Sequence, residues 1–229
     1  MLGSCNFQAL AGPLGAKPLP RHTADYLLKH LYDKEDVISF VREYTQPDSA
    51  KRFSASGAGT SMNYTIAGPL GSGRKTIVTA VANAFAEAGL VQSREVYVYT
   101  KGDLEAGYVG QTAIRTRAAI NMAQGGTVVI NGVSSMLSHE NDNSFGPEAI
   151  SEVFNCTEVF GDDTCFVFTD TEAGMEAFLK AYPQARSTFA RHFTLEDLTI
   201  EAMQRIFRDK VEHSDRLKRP EVPGCYGNP

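Results

Sequence analysis

The sequence predicts an α/β domain with a five-stranded parallel sheet and helices on both faces. Two observations predict this class. After residue 62, short β-branched or aromatic runs alternate with longer helical patterns, as in chains that build βαβ units. Two of the short runs, GTVVING and DTCFVFTD, are almost continuously apolar, which is typical of strands buried on both faces of a sheet. Right-handed crossovers between such strands favour parallel neighbours.

The individual elements follow in a regular order. The five predicted strands are NYTIAG, REVYVYT, GTVVING, DTCFVFTD and RHFTLEDL. The five predicted helices are KTIVTAVANAFAEAG, TAIRTRAAINMAQGG, GPEAISEVFNCTEVF, TEAGMEAFLKAY and TIEAMQRIFRDKVEH. Gly89 is expected to lie just after the first helix, and Pro147 suits the first turn of the third.

Three regions are predicted along the chain. Residues 1–61 hold an aperiodic arm, a helical stretch with apolar residues at three-to-four spacing, and a polar linker. Residues 62–213 form the α/β domain. Residues 214–229 are rich in Pro, Gly and charge, a composition unable to fold alone. We expect residues 1–20 and 214–229 to contact protein partners.

Composition excludes several classes of protein. A net charge of −5 and a pI of about 5.6 argue against a nucleic-acid binder, which is normally basic. The four cysteines show no C-x-x-C pairing, and the five histidines show no ligand spacing, so no metal site is expected. The chain has no apolar run of the ~20 residues that a membrane-spanning helix needs.

The stretch IAGPLGSGRKT, residues 66–76, has the setting of a phosphate-binding loop. It follows a predicted strand and opens a helix, where backbone N–H groups and the helix dipole can surround a phosphate. The full motif is G-x-x-x-x-G-K-[ST]. The vestigial nucleotide-binding residues are Gly68, Gly71, Gly73, Arg74, Lys75 and Thr76.

The side chains of this loop depart from the motif. Arg74 stands where Lys should reach the terminal phosphates, and the two are not interchangeable at a tight site. Lys75 replaces the hydroxyl that should hold Mg²⁺ and places a positive charge there. The cations could still hold ATP or ADP without Mg²⁺-dependent hydrolysis. Alternatively, the loop is empty and its cations contact an acid of a neighbouring protein or solvent.

The buried strand TVVI carries a second departure. In a phosphate-loop ATPase this strand ends in a carboxylate for Mg²⁺, usually beside one that activates the attacking water. Here the positions hold Asn131 and Gly132. Loss of a general base alone lowers the rate by about 10²–10⁴. We therefore expect no ATP hydrolysis, no catalytic residue and no required cofactor.

Longer segments carry a family resemblance. The runs GPLGSGRKTIVTAVANAFAEAGLV, TKGDLEAGYVGQTAIRTRAAINMAQGGTVVINGV and FGPEAISEVF resemble the AAA+ ATPases of the red-type Rubisco-activase (CbxX/CfqX) branch, over about residues 62–200. The resemblance implies a three-layer P-loop NTPase fold, ATP hydrolysis in a hexamer and remodelling of a client protein. Only one helix and a tail follow residue 200, so we expect the family's helical lid to be missing.

The resemblance also implies roles for single residues. Tyr108 maps onto an aromatic pore loop, with an ordinary surface aromatic as the alternative. Thr169 maps onto the polar sensor. Arg186 maps onto a finger arginine or, alternatively, is a salt-bridge partner. At the nearby position where the family has a second arginine, this chain has Thr188.

The sequence thus predicts a non-catalytic, AAA+-like accessory subunit of a larger protein assembly. The alternative is a nucleotide-binding ATPase or regulatory subunit in a mixed ring that remodels a client. Residues 1–24 contain no acidic residue and form either a flexible arm or a targeting segment. A targeting segment of this composition would favour an intracellular organelle such as the mitochondrion over the cytoplasm.

Overall fold

A computed structural model describes residues 34–45, 61–108, 110–137, 145–189 and 191–212. The segments 1–20 and 214–229, in which we predict partner contacts, lie outside these residues. Contacts divide the chain into two compact units, Met1–Glu196 and Asp197–Pro229.

The first unit contains the whole sheet. Its strands are β1 (Tyr64–Ala67), β2 (Val96–Tyr99), β3 (Thr127–Asn131), β4 (Cys165–Asp170) and β5 (Arg191–Thr194). Its described helices are α1 (Glu35–Thr45), α2 (Arg74–Glu87), α3 (Lys101–Leu104), α4 (Thr112–Met122), a 3₁₀ helix (Val133–Met136), α5 (Gly146–Phe160), α6 (Glu172–Ala181) and α7 (Ala185–Thr188).

The predicted parallel sheet is confirmed. Its order is β2-β3-β4-β1-β5, and every neighbouring pair is parallel. Thr169 of β4 is in register with Ile66 of β1 on one side and with Asn131 of β3 on the other. The carboxyl ends of β1, β3 and β4 therefore meet at one edge of the sheet, where ligands of open α/β sheets bind.

Alternating residues of the strands bury two separate cores. On one face, Phe40 of α1 makes edge-to-face contacts with Tyr64, Phe85 and Phe193. On the other face, Phe168 packs against Phe154, Phe178 and Phe189. Val129 belongs to the first cluster, whereas Val128 and Ile130 belong to the second. Helices on both faces make the three-layer architecture that the sequence predicts.

The packing divides the chain differently from the predicted regions. We placed α1 in the arm region 1–61, but its residues Val37, Phe40 and Val41 are buried in the sheet's core. We placed the last helix, α8 (Ile200–Glu212), in the 62–213 domain, but it belongs to the second unit. Helical periodicity shows that an apolar face exists, but it does not show which element covers that face.

Three short elements have no counterpart in the prediction: α3, the 3₁₀ helix and α7. Each has four residues, too few to show a helical period. Among the described helices, none combines the length and apolar character required to cross a bilayer.

Candidate functional site

The glycine loop connects the end of β1 to the start of α2. Gly71 and Gly73 have φ angles of 87° and 91°, in the left-handed region that glycine adopts readily. Gly73 precedes Arg74, the first residue of α2. The hydroxyl of Ser72 donates to a carbonyl within the loop at 2.9 Å. The first amides of a helix have no acceptor within it, so this loop retains backbone donors suited to an anion.

Gly68 joins the loop to its neighbouring strands. Its N–H donates to the carbonyl of Asp170 at 3.0 Å, and the N–H of Leu195 donates to the carbonyl of Ala67 at 2.8 Å. A Cβ at position 68 would lie 2.9 Å from both the Cβ and the carbonyl oxygen of Leu195. Glycine is needed here because the backbone after β5 approaches so closely.

A cavity of about 340 Å³ opens beside this loop. It brings together most of the loop residues and the predicted positions at the ends of β3 and β4. Its lining comprises Gly71, Gly73, Arg74, Lys75, Val78, Val96, Val98, Val129, Asn131 and Thr169. The fold therefore gathers residues that lie almost a hundred positions apart in sequence.

The two loop cations are not neutralised within the part of the chain that the structure describes. Arg74 is half-buried and Lys75 is exposed, and neither forms an ion pair with a described residue. Thr76, one position further along α2, is exposed and is not part of the cavity lining. Arg74 and Lys75 both line the cavity, and no carboxylate among the described residues balances their positive charge.

Asn131 accepts a hydrogen bond from Thr169. The hydroxyl of Thr169, which is 4% exposed, donates to the side-chain oxygen of Asn131 at 2.8 Å. The next residue, Gly132, donates its N–H to the Thr169 carbonyl at 2.7 Å and has φ 73° and ψ 49°. A glutamate at position 132 would occupy this left-handed backbone, which side chains disfavour by about 1–2 kcal/mol.

Magnesium, which the fold implies for an active site of this kind, does not fit these residues. Lys75 places an ammonium group where a hydroxyl ligand is needed. The Asn131 oxygen is neutral and already accepts the Thr169 hydrogen bond. Among the described residues, no group of three or more His, Cys, Asp or Glu side chains could hold a metal ion.

Asp170, the last residue of β4, follows Thr169 and was not singled out by the sequence analysis. Its carboxylate is 7% exposed and accepts hydrogen bonds from the backbone N–H groups of Ser134 at 2.8 Å and Thr171 at 2.6 Å. It also accepts from the Thr171 hydroxyl at 3.3 Å. Asp170 thus ties the end of β4 to the turn after Gly132. A carboxylate at the end of an apolar strand was the signal that could have found it.

Tyr108 lies on a separate, braced loop and does not line the cavity. Its side chain is 74% exposed. The guanidinium of Arg115 donates to the carbonyls of Glu105 at 2.8 Å and Gly102 at 3.3 Å. Leu104 is fully buried beneath the same segment. These contacts hold the backbone that leads to Tyr108.

Arg186 lies on α7, with an exposed side chain that also does not line the cavity. His192 of β5 faces this part of the molecule: burial lowers the pKa of the imidazole, and the charge of Arg186 lowers it further. The imidazole Nδ1 lies 2.9 Å from the Thr65 hydroxyl oxygen.

Two solved structures have a similar fold. A chain of the Escherichia coli MS115-1 HORMA:CdnC:Trip13 complex superposes with a TM-score of 0.55 and 15% identity, covering 90% of this chain and 80% of that chain. The Aeropyrum pernix ORC2 protein superposes with a TM-score of 0.53 and 17% identity, covering 80% and 52%. The chain has the AAA+ P-loop fold.

In sequence, the chain is similar to proteins of the CfxQ/CbxX type, as the motifs predict. A chloroplastic ribulose bisphosphate carboxylase/oxygenase activase of Cyanidioschyzon merolae is 27% identical over 175 residues, or 76% of this chain and 57% of that protein. Protein CfxQ of Xanthobacter flavus is 27% identical over 211 residues, covering 92% and 62%. Protein CbxX (chromosomal) of Cupriavidus necator is 27% identical over 193 residues, covering 84% and 56%.

The chain spans about three fifths of the length of the relatives that it matches. No protein-family model matches it. The relatives are chloroplastic, algal or bacterial proteins, and none of these sources supports the mitochondrial location that the N-terminal composition suggested.

Proposed function

We propose that this protein is a non-catalytic AAA+-like subunit of a larger protein assembly. The observation that carries the proposal is the arrangement at the end of β3. Asn131 accepts a hydrogen bond from Thr169, and the following Gly132 turns into the left-handed region. The two positions that should supply a metal ligand and a general base thus present a neutral amide and no side chain.

The glycine loop gives a second argument against catalysis. Lys75 lines the same cavity as Asn131, so its ammonium disfavours a divalent cation between them. Removing a general base lowers a rate by about 10²–10⁴, and the loss of the metal acts on the same step. The sheet and both hydrophobic cores are intact, which supports a structural role that depends on the folded surface and not on catalysis.

The location and partners of the subunit are part of the proposal. We infer that residues 1–20 and 214–229 contact other subunits, because their Pro- and Gly-rich composition cannot bury a core of its own. An organelle is the proposed location, from the absence of acidic residues in 1–24.

Nucleotide assays test the proposal directly. The full chain is incubated with Mg-ATP, and released phosphate is measured beside Mg-ATP binding by calorimetry. We expect no release above a protein-free control and no micromolar binding of Mg-ATP. Hydrolysis by the chain alone would rule out the non-catalytic function. Polypeptides that co-purify with the intact chain then identify the assembly.

A regulatory subunit that contacts a client in a mixed ring is the second candidate. The exposed Tyr108 on a loop braced by Arg115 favours it. The test compares the polypeptides captured by the wild-type chain and by Tyr108→Ala. Loss of one defined polypeptide, with the unfolding temperature unchanged, supports this candidate. Identical capture by both chains argues against it.

A further inference from the structure

Asn131 and Gly132 form an Asn-Gly pair, at which an asparagine side chain reacts readily with its own backbone. In that reaction the glycine nitrogen attacks the side-chain carbonyl carbon, and glycine has no side chain to hinder the approach. We infer that Asn131 is a site of spontaneous deamidation, which the folded chain blocks through Thr169. When that block is lost, residue 131 converts to aspartate or isoaspartate.

The atoms of this reaction balance without a cofactor. The Gly132 nitrogen loses its proton and forms a bond to Cγ of Asn131, while the Cγ–Nδ2 bond breaks and the side-chain nitrogen leaves as ammonia. The product is a five-membered succinimide ring, and nothing is oxidised or reduced. Water then opens the ring at either carbonyl, which gives aspartate or isoaspartate. Asn131 is exposed, so water reaches the ring.

The attacking nitrogen is the first group that the fold restrains. The N–H of Gly132 donates to the carbonyl of Thr169 at 2.7 Å. The nitrogen must lose this proton before it attacks, and breaking the hydrogen bond adds to the barrier. Asn131 is also the last residue of β3, in register with Thr169 of β4. Ring closure requires the Asn131 backbone to rotate out of the extended conformation, which this strand pairing opposes.

The side-chain carbonyl of Asn131 is the second restrained group. Its oxygen accepts a hydrogen bond from the Thr169 hydroxyl at 2.8 Å, and Thr169 is only 4% exposed. A hydrogen bond also polarises a carbonyl, which by itself would favour attack. Positioning outweighs this effect, because the side chain must leave β4 and turn to the Gly132 nitrogen before a bond can form. Thr169 therefore holds both reacting groups, one through its hydroxyl and one through its backbone carbonyl.

The place of Asn131 gives the reaction a consequence for the cavity. Asn131 lines the cavity together with Arg74 and Lys75, which no described carboxylate neutralises. Deamidation replaces a neutral amide with a negatively charged carboxylate beside them. A chain that has opened at this point and closed again therefore carries a different charge in its cavity from a chain that has not.

The test measures deamidation of residue 131 in the full chain, by peptide mapping with mass spectrometry that separates aspartate from isoaspartate. Each chain is incubated in mildly alkaline buffer, once folded and once unfolded in urea. Wild type is compared with Thr169→Val, which removes the hydroxyl but keeps the backbone carbonyl, and with Thr169→Ser, which keeps both. Thr127→Val is the matched control, because Thr127 is a fully buried threonine at the opposite end of β3 and its hydroxyl has no hydrogen-bond partner among the described residues.

We expect folded wild type to deamidate at least about tenfold more slowly than unfolded wild type, since both reacting groups are restrained. Loss of one hydrogen bond should make folded Thr169→Val react about three- to tenfold faster than folded wild type. Thr169→Ser and Thr127→Val should stay within about twofold of wild type, because neither loses a bond to Asn131. In urea all four chains should react at the same rate.

Low urea concentrations, well below the unfolding transition, separate local opening from global unfolding. The rate of Thr169→Val should stay constant there, because the reacting groups separate from β4 without unfolding of the chain. A rate that rises with urea in step with the unfolded fraction would mean that the variant reacts only from unfolded molecules, and would overturn the role of the Thr169 hydroxyl.

Three further results would overturn the inference. These are equal rates for folded and unfolded wild type, a rate for Thr169→Val no higher than that of wild type, and equal acceleration by Thr127→Val. The comparison of folded with unfolded wild type needs no variant, so it decides the inference even where Thr169→Val does not fold.

Discussion

The hydroxyl of Thr169 lies 2.8 Å from the side-chain oxygen of Asn131 and donates a hydrogen bond to it. The two residues are in register on adjacent parallel strands, at the edge of the sheet that carries the glycine loop. The hydroxyl of Thr169 is therefore engaged with Asn131, the residue at the position where the sequence analysis expects a metal-binding carboxylate in an active phosphate-loop ATPase. This hydrogen bond links the side chains at the carboxyl ends of β3 and β4.

The first prediction concerns repair of this position. Asn131→Asp adds a carboxylate that can still accept the Thr169 hydrogen bond, so the chain should fold normally. We expect no gain of Mg-ATP hydrolysis, because Lys75 and the absence of a side chain at Gly132 remain. Phosphate release is the measurement. A rate raised by Asn131→Asp alone would show that a single substitution silences the site, contrary to the argument above.

The second prediction concerns the backbone at Gly132. Gly132→Ala should lower the free energy of unfolding by about 1–2 kcal/mol, because φ there is 73°. Gly102→Ala is the control: it lies in α3, and an added Cβ would have no heavy atom within 4 Å. The control should be neutral or stabilising by up to about 1 kcal/mol in urea denaturation. Equal effects of the two changes would refute the strain argument.

The third prediction concerns Asp170. Asp170→Asn turns one carboxylate oxygen into an NH₂ group that must face a backbone N–H of Ser134 or Thr171. We expect a loss of about 1–3 kcal/mol in the free energy of unfolding. Asp162→Asn, at an exposed turn, should change it by less than about 0.5 kcal/mol. Guanidinium denaturation of both variants measures the two changes in the free energy of unfolding. A larger loss for Asp170→Asn than for Asp162→Asn supports a structural role for the Asp170 carboxylate.

The fourth prediction is a pH dependence of the pair between Arg117 of α4 and Glu152 of α5. Burial alone would raise the pKa of the Glu152 carboxyl, but hydrogen bonds from Arg117 and Asn155 outweigh it, so the net pKa lies below the ordinary 4.5. A lowered folded-state pKa stabilises the fold above pH 4.5, and this contribution disappears as the pH falls through the folded-state value.

Arg117→Ala should therefore lower the free energy of unfolding at neutral pH, since it removes the cation that lowers the pKa of the Glu152 carboxyl. The difference from wild type should shrink in acid. Arg94→Ala removes an exposed pair with Glu87 and should have an effect of only about 0–1 kcal/mol at either pH. A pH-independent effect of Arg117→Ala would mean that packing, not charge, causes it.

The fifth prediction separates the Tyr108 loop from its support. Leu104 is fully buried, so Leu104→Ala should lower the free energy of unfolding by about 2–5 kcal/mol. Tyr108 is 74% exposed, so Tyr108→Ala should change it by less than about 0.5 kcal/mol. Thermal unfolding of the two variants measures both. A large effect of Tyr108→Ala would indicate that this side chain packs against the fold.

Much of the fold was predictable because its signals are local. The helix Gly146–Phe160 matches the predicted segment residue for residue, since its apolar face repeats at helical spacing and Pro147 suits its first turn. The strands β3 and β4 were predictable from their apolar runs. The short helices were not, because four residues carry no period.

The sequence by itself determined the order of strands and helices, the glycine loop and the identities of Arg74, Lys75, Asn131 and Gly132. Only the tertiary structure decided that α1 packs into the core, that Thr169 donates to Asn131, and that Asp170 holds the neighbouring turn. The physical reason is that periodicity and turn chemistry act between near neighbours in the chain. A hydrogen bond between residues 38 positions apart exists only after parallel strands have set their register.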